Sequence, residues 1–287
     1  MTPQVAALQF LNGLTLAALL FILASGFTLV FGLMRIMNLA HGGFYLIGGY
    51  MGLSVLLATR NFLLAIVAAG AGIALLGLFT ERFLLRPLRG ETLAEVLLTI
   101  GLAYMLGDMA LAVWGGDPRN IRLPGSIGSS VQLLDISYPL FRIVVLATGM
   151  LIGLVIWLIQ ERTRVGAMVR AGVDDRETLE AMGINVKALF TWMFCFGAFL
   201  AGITGVLGGA FLTLYPGADF EILLFALVVV IIGGPGSLTG AALGSLVVGL
   251  IDAYGKVLIP EFTYFTIFLP MALILTWRPY GLFGVKV

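Results

Sequence analysis

Few side chains in this 287-residue sequence could do acid–base or covalent chemistry, and they stand apart from one another. His41 is the only histidine, set in Asn38-Leu39-Ala40-His41-Gly42-Gly43. An imidazole can sense pH or hold a solute. Beside two glycines its ordinary work is to hydrogen-bond backbone groups freed by a helix break, and the Asn38 amide suits the same task. No second His or Cys stands at ligand spacing, so no metal site is assigned. Cys195, the single cysteine, cannot form an internal disulfide, and its apolar surroundings mark a packed thiol. The run Gly233-Gly234-Pro235-Gly236-Ser237-Leu238-Thr239-Gly240 looks like a phosphate-binding loop but lacks the Lys-Ser/Thr pair. There is no Ser/His/Asp set on soluble elements. The reading is therefore a non-enzyme with no catalytic residues, no cofactor and no P-loop of its own.

Four ionisable residues fall inside apolar stretches: Glu95, Asp108, Arg142 and Asp252. An acid at the centre of a membrane span costs about 2.5–3.5 kcal/mol on insertion scales. All four lie nearer the ends of their stretches, where water access lowers that cost, so structural roles are expected.

The elements that must carry these residues are membrane helices. The chain is 60% hydrophobic and 11% charged, with a mean hydropathy of +1.09. A soluble domain carries about 25% charged residues. A formal charge of +1 offers nothing to nucleic acid. Crossing a bilayer core of about 30 Å takes roughly 20 apolar residues. Such runs occur near 8–34, 42–59, 62–80, 92–114, 139–160, 187–212, 222–254 and 262–277. The expectation is one all-α polytopic domain over 1–287, a bundle of about eight spans. The first run is too long for a cleaved signal peptide. The seventh exceeds a single span and is interrupted at Gly233–Gly236, so whether it crosses once or re-enters is left open.

Basic residues set the orientation. Arg82, Arg86 and Arg89 lie in 81–90, and Arg162, Arg164, Arg170, Arg176 and Lys187 lie in 161–187. Two spans separate these segments, so both fit the cytoplasmic side, with 115–138 and the N-terminus outside. Within 161–187, Asp174 followed by Glu177 makes a capping box, and Gly183 supplies a stop. A short off-membrane helix over about 175–182 is expected. Its apolar Leu179 and Met182 need burial, and a cytoplasmic partner's groove is the natural place.

Small residues recur four apart at Gly197, Ala201, Gly205 and Gly209, at Gly236, Gly240 and Gly244, and at Gly48 and Gly52. Such faces allow close helix packing in lipid. The breaks at Asn38–Gly43 and at 233–236 each precede a Gly-rich helix. This weak internal repeat resembles the paired interrupted segments that mark transport sites.

Four ordered motifs carry a family resemblance over essentially the full length. They are Asn12-Gly13-Leu14 through Asn38-Leu39-Ala40-His41-Gly42 with Phe44-Tyr45; Arg86-Pro87-Leu88-Arg89; Arg164, Gly166, Arg170-Ala171, Ala181 and Gly183-Ile184; and Ile232-Gly233-Gly234 with Gly236-Ser237, Gly240-Ala241 and Gly244. Together they resemble the permeases of ABC importers for branched-chain and other hydrophobic amino acids. The resemblance implies a non-catalytic subunit in a bacterial cytoplasmic membrane. Its implied partners are a second related permease, two ATPase subunits and an extracytoplasmic solute-binding protein. It implies a translocation path or helix-break site at Asn38, His41, Gly42, Gly43, Gly233, Gly234, Pro235, Gly236 and Ser237. It also implies ATPase coupling through Arg164, Gly166, Arg170, Asp174, Glu177, Leu179, Met182 and Gly183. Leu20-Phe21, Gly43 and Pro235 depart from the family pattern, which bears on the solute. Urea or short amides are the alternative cargo. An aquaporin-like channel would need a second Asn-containing break, which 233–237 does not offer, and an ion-coupled carrier would want a deeper acid.

Overall fold

Hydrophobic residues on every face of a helix call for burial on every face, and the first helix meets that demand. In the computed structural model, α1 (Pro3–Met34) forms the central mast of the bundle. Its Thr2 hydroxyl accepts from Val5 N and Pro3 opens the first turn. Arg35, in the left-handed region, ends it by donating to the Phe31 carbonyl. Within its apolar window 78% of α1 is buried, against 17% for α5, which lies on the perimeter. The structure describes residues 2–123, 125–133, 136–174 and 176–284. The side chains at 126, 127, 133, 136, 173, 174, 176–178, 263 and 264 lie outside that description.

The chain continues through α2 (His41–Thr59), α3 (Phe62–Phe79) and α4 (Thr92–Trp114). Asn61 caps α3, its Oδ1 accepting from Leu64 N at 3.0 Å. The end of α3 widens into a π-turn (Thr80–Leu85) and tightens into a 3-10 turn (Arg86–Leu88). A short antiparallel hairpin follows, β1 (Ser130–Leu133) and β2 (Ile136–Pro139), with Val131 opposite Tyr138. Tyr138 anchors it to α1, its hydroxyl 2.7 Å from Thr15 Oγ1 and 2.8 Å from the Leu11 carbonyl. Then come α5 (Leu140–Arg162), α6 (Arg164–Asp174), α7 (Arg176–Ala181), α8 (Val186–Phe211), α9 (Ala218–Gly233), α10 (Leu238–Leu258) and α11 (Thr263–Trp277). Among the described residues, seven helices are long and apolar enough to cross a membrane.

Glycine faces make the core. A Cβ at Gly48 of α2 would fall 2.5 Å from Gly202 Cα of α8. One at Gly26 of α1 would fall 2.9 Å from the Gly197 carbonyl of α8, and one at Gly249 of α10 2.5 Å from the Gly13 carbonyl. The stripes on α8 and α10 thus bring backbone onto backbone, where dispersion replaces the hydrophobic effect that lipid cannot supply.

Two sequence expectations change here. The long 222–254 run is two helices, α9 and α10, folded back on each other at 234–237. The off-membrane segment holds a full helix, α6, ahead of α7, so Asp174 ends one helix rather than capping the next. The capping box has its Asp174 and Glu177 side chains outside the described residues. The apolar face of Val165, Met168 and Val169 explains α6: Val169 is 5% exposed and Met168 packs against the core.

The ends of the bundle are well separated. One collects the 80–91 turn, α6, α7, the 234–237 turn and the C-terminal residues 278–284. The other holds residues 119–121, where Arg119 and Leu214 exchange backbone hydrogen bonds in an isolated bridge and Thr213 Oγ1 donates to Asn120 Oδ1 at 2.8 Å. Both basic segments therefore share one end, opposite 119–121, and residues 278–284 join them.

Candidate functional site

The first helix break runs from Arg35 to Ala40, between α1 and α2. His41 N donates to the Asn38 carbonyl at 3.2 Å and Thr99 of α4 donates to the Met37 carbonyl at 3.3 Å, which satisfies part of the broken backbone. The His41 ring does something different from the expected backbone repair. Its Nε2 lies 3.2 Å from the Leu23 carbonyl in the middle of α1, and the ring packs edge-on against Phe27 with centroids 5.5 Å apart. His41 is thus a strut from the start of α2 to the mast. Among the described residues, the buried Asn38 Oδ1 has no hydrogen-bond partner. Gly42 and Gly43 are small for packing reasons: any Cβ at 42 would overlap the Asp219 carbonyl of α9, and one at 43 would meet Leu106 of α4 at 2.9 Å.

The second break, 234–237, is a built turn. Gly234 (φ +97°) and Gly236 (φ +82°) take backbone conformations that a side chain would strain. Pro235 stands between them and removes a donor. Ser237 caps α10, its Oγ accepting from Gly240 N at 3.0 Å. Gly236 N donates to Thr28 Oγ1 of α1 at 2.9 Å. Gly233 lies directly against Gly240, so α9 and α10 touch through backbone. The C-terminal residues complete the turn: Leu282 N donates to the Ile232 carbonyl at 2.8 Å and Phe283 N to the Gly233 carbonyl at 3.0 Å. These are two of the carbonyls that the end of a helix leaves unsatisfied.

The two breaks are not brought together. Gly42 meets the beginning of α9 at Asp219, whereas Gly233 closes that helix, a separation of about 21 Å at 1.5 Å per residue. What they share is α1, which receives His41 at Leu23 and Gly236 at Thr28.

The basic end carries the residues expected to couple. α6 is tied to the end of α5: Arg170 donates to the Gln160 carbonyl and lies 3.9 Å from Glu161 Oε1. Gly166 N donates to the Thr163 hydroxyl oxygen at 3.2 Å, and any Cβ at 166 would strike the Gln160 backbone. Arg164 opens α6 and is exposed. Gly183 (φ +80°) ends α7, as the sequence suggests. Leu179 does not wait for a partner; it is 3% exposed, packed within its own chain beside Gly172. Met182 is 72% exposed and remains the apolar tip of this segment.

Sequence reasoning passed over Glu81. Its carboxylate is fully buried and accepts from Arg89 Nη2 at 2.7 Å and from Thr191 Oγ1 of α8 at 2.6 Å. Arg89 in turn lies 4.6 Å over the Phe190 ring. The 81–90 turn is thereby locked to the first turns of α8, just after the α6–α7 segment. The one available signal was an acid among arginines at the end of an apolar run. Its partner in α8 carried no mark.

The four intra-span charges sort into packed roles. Glu95 is buried and accepts from Gly90 N at 3.2 Å. Arg142 donates to Asn12 Oδ1 and lies over the Tyr138 and Phe211 rings. Asp252 is buried and pairs with Lys256 at 2.7 Å. Asp108 is exposed. Among the described residues, no group of three His, Cys, Asp or Glu side chains is placed to hold a metal ion.

Residues 9–276 match a family model described as branched-chain amino acid transport system / permease component. The chain is 31% identical to a high-affinity branched-chain amino acid transport system permease protein, BraD, of Pseudomonas aeruginosa, covering 96% of this chain and 95% of that one. It is 28% identical to the LivH permease protein of Escherichia coli K12, over 96% and 94%. A probable LivH of Methanocaldococcus jannaschii is 27% identical, over 93% and 89%. Among solved structures, PsaBC from Streptococcus pneumoniae in complex with Fab aligns at a TM-score of 0.49 and 15% identity, over 91% of this chain and 87% of that one, a likeness too slight to argue from.

Proposed function

The chain belongs to the branched-chain amino acid transport system permease family, and we propose that it forms a path for branched-chain or other hydrophobic amino acids across a bacterial cytoplasmic membrane. Members of this family are non-catalytic membrane subunits of ABC systems, so ATP is hydrolysed on other polypeptides. The observation that carries the reading is the family match over residues 9–276.

In this reading the end of the bundle that carries both basic segments faces the cytoplasm. There α6, α7 and the exposed Met182 tip engage an ATPase subunit, with Arg164, Gly166, Arg170, Leu179 and Gly183 shaping the lever. Glu81, Arg89 and Thr191 pass its movement to α8. A second related permease completes the membrane unit, and a solute-binding protein docks at the opposite end. His41 and the two breaks set where α2, α9 and α10 pivot against α1.

The test is ATP-driven uptake of leucine into proteoliposomes holding this chain with the permease, ATPases and binding protein encoded beside it. Uptake that requires ATP and is lost when this chain is left out supports the reading. Uptake that proceeds without this chain, or accumulation of urea but of no amino acid, refutes it.

A further inference from the structure

Near the end of the bundle that carries 115–138, two opposite charges line one small pocket between α1, α2, α9 and α10. Glu221, in the first turn of α9, and Lys256, in the last turn of α10, both face this space of about 120 Å3. The Tyr215 hydroxyl donates to one oxygen of Glu221. Lys256 Nζ donates to Asp252 Oδ2 at 2.7 Å, and its side chain is 52% exposed. The Tyr45 phenol is close enough to interact with Tyr215 and Glu221, in the room that Gly208 leaves by lacking a side chain. Leu16, Ile222 and Phe225 supply apolar wall.

Each charge is held in place yet not used up. A lysine ammonium has three donors and one goes to Asp252; a carboxylate has about four acceptor sites and one goes to Tyr215. Ionisable side chains within membrane helices mark solute paths by default. The remaining capacity is one anionic and one cationic point beside an apolar wall. A neutral amide would bring Glu221 no counter-charge and Lys256 no anionic partner beyond Asp252. An α-amino acid carries an ammonium and a carboxylate on one carbon, with an aliphatic group beside them.

We infer that Glu221 and Lys256 form a zwitterion-binding site, Glu221 taking the ammonium and Lys256 the carboxylate of the solute as it enters the path. The cavity has room for about four waters, which fits the charged head while the aliphatic group lies along Leu16, Ile222 and Phe225. The inference rests on the amino acid transport reading above. The hydrophobic solute then owes its acceptance by this subunit to its backbone charges, which every amino acid shares.

Competition against tritiated leucine reads the site directly, using the assembled transporter in nanodiscs without its binding protein. Isocaproate lacks the ammonium and isoamylamine lacks the carboxylate. Leucine should compete at least about tenfold better than either, as one charge-assisted hydrogen bond warrants. Glu221→Gln should cut the preference over isocaproate to about twofold and keep that over isoamylamine, and Lys256→Met should do the reverse. Because Lys256→Met leaves Asp252 buried without its partner, the double variant Asp252→Asn/Lys256→Met is measured beside it and should show the same selective loss. Equal weakening of all three ligands, or unchanged preferences, overturns the site. Where the wild-type complex still imports leucine, that result overturns the site alone; a wild-type complex importing no amino acid overturns the transport reading and the site with it.

Discussion

Thr191 and Glu81, 110 residues apart, are joined by a 2.6 Å hydrogen bond at the basic end of the bundle. The same carboxylate holds Arg89 at 2.7 Å, so three segments meet on one fully buried acid. Breaking a buried pair by removing one partner costs about 3–5 kcal/mol. Glu81→Gln should therefore lower the melting temperature of the purified protein sharply and expose the 86–91 turn to protease. Thr191→Val, which removes only a neutral donor, should cost about 1–3 kcal/mol. Equal melting temperatures for wild type and Glu81→Gln would show that the cluster holds nothing together.

A second prediction concerns α2 and α8. The Cβ that Gly48→Ala adds would meet Gly202 Cα, a backbone atom that cannot rotate away. Overpacking of this kind costs about 1–3 kcal/mol. Gly101→Ala, with open space around it on α4, is the matched control and should be neutral. Circular dichroism melts in detergent compare the two directly.

The C-terminal clasp is tested through its amide donors. Leu282→Pro removes the N–H that reaches the Ile232 carbonyl, while Leu282→Ala keeps it. The proline variant should lose about 1 kcal/mol or more relative to the alanine variant. It should also show faster amide hydrogen exchange at the end of α9. Identical exchange in the two variants would mean that the clasp is idle.

Arg170→Glu places an acid beside the carbonyl end of α5, where both the helix dipole and Glu161 oppose it. The variant should insert in the membrane and assemble normally, yet lose most ATP-driven uptake because α6 no longer moves with α5. Wild-type uptake by this variant would remove Arg170 from the lever.

Much of this architecture could be read from hydropathy alone, because length and apolarity suffice to place α1–α5, α8 and α11. The 222–254 run hid a helical hairpin, since an apolar helix folding back through Gly234-Pro235-Gly236 leaves no polar loop to mark it. Helix α6 was missed because its apolar face is narrow and its polar face reads as loop. The hairpin at 130–139 fell within a segment too short and mixed for a strand pattern. Around the candidate site, the glycines were legible as close-packing positions but not their partners. Glu81 bonds to Thr191, and Glu221 lines one pocket with Lys256, across sequence distances that no local pattern reports. His41 was expected to bond the backbone of its own break, and its acceptor lies instead in α1, 18 residues earlier.

The bond from Gly236 N to Thr28 Oγ1 spans 208 residues. At a synthesis rate of roughly 5–20 residues per second, the helix that supplies Thr28 waits about 10–40 s before Gly236 exists. During that interval α1 must reside in lipid with its buried faces bare. Its apolarity on all sides lets it do so. Thr28, like its neighbour Ser25, which donates to the Ile22 carbonyl, can be satisfied meanwhile by its own helix. The mast of the bundle is thus synthesised well before the turn that closes on it.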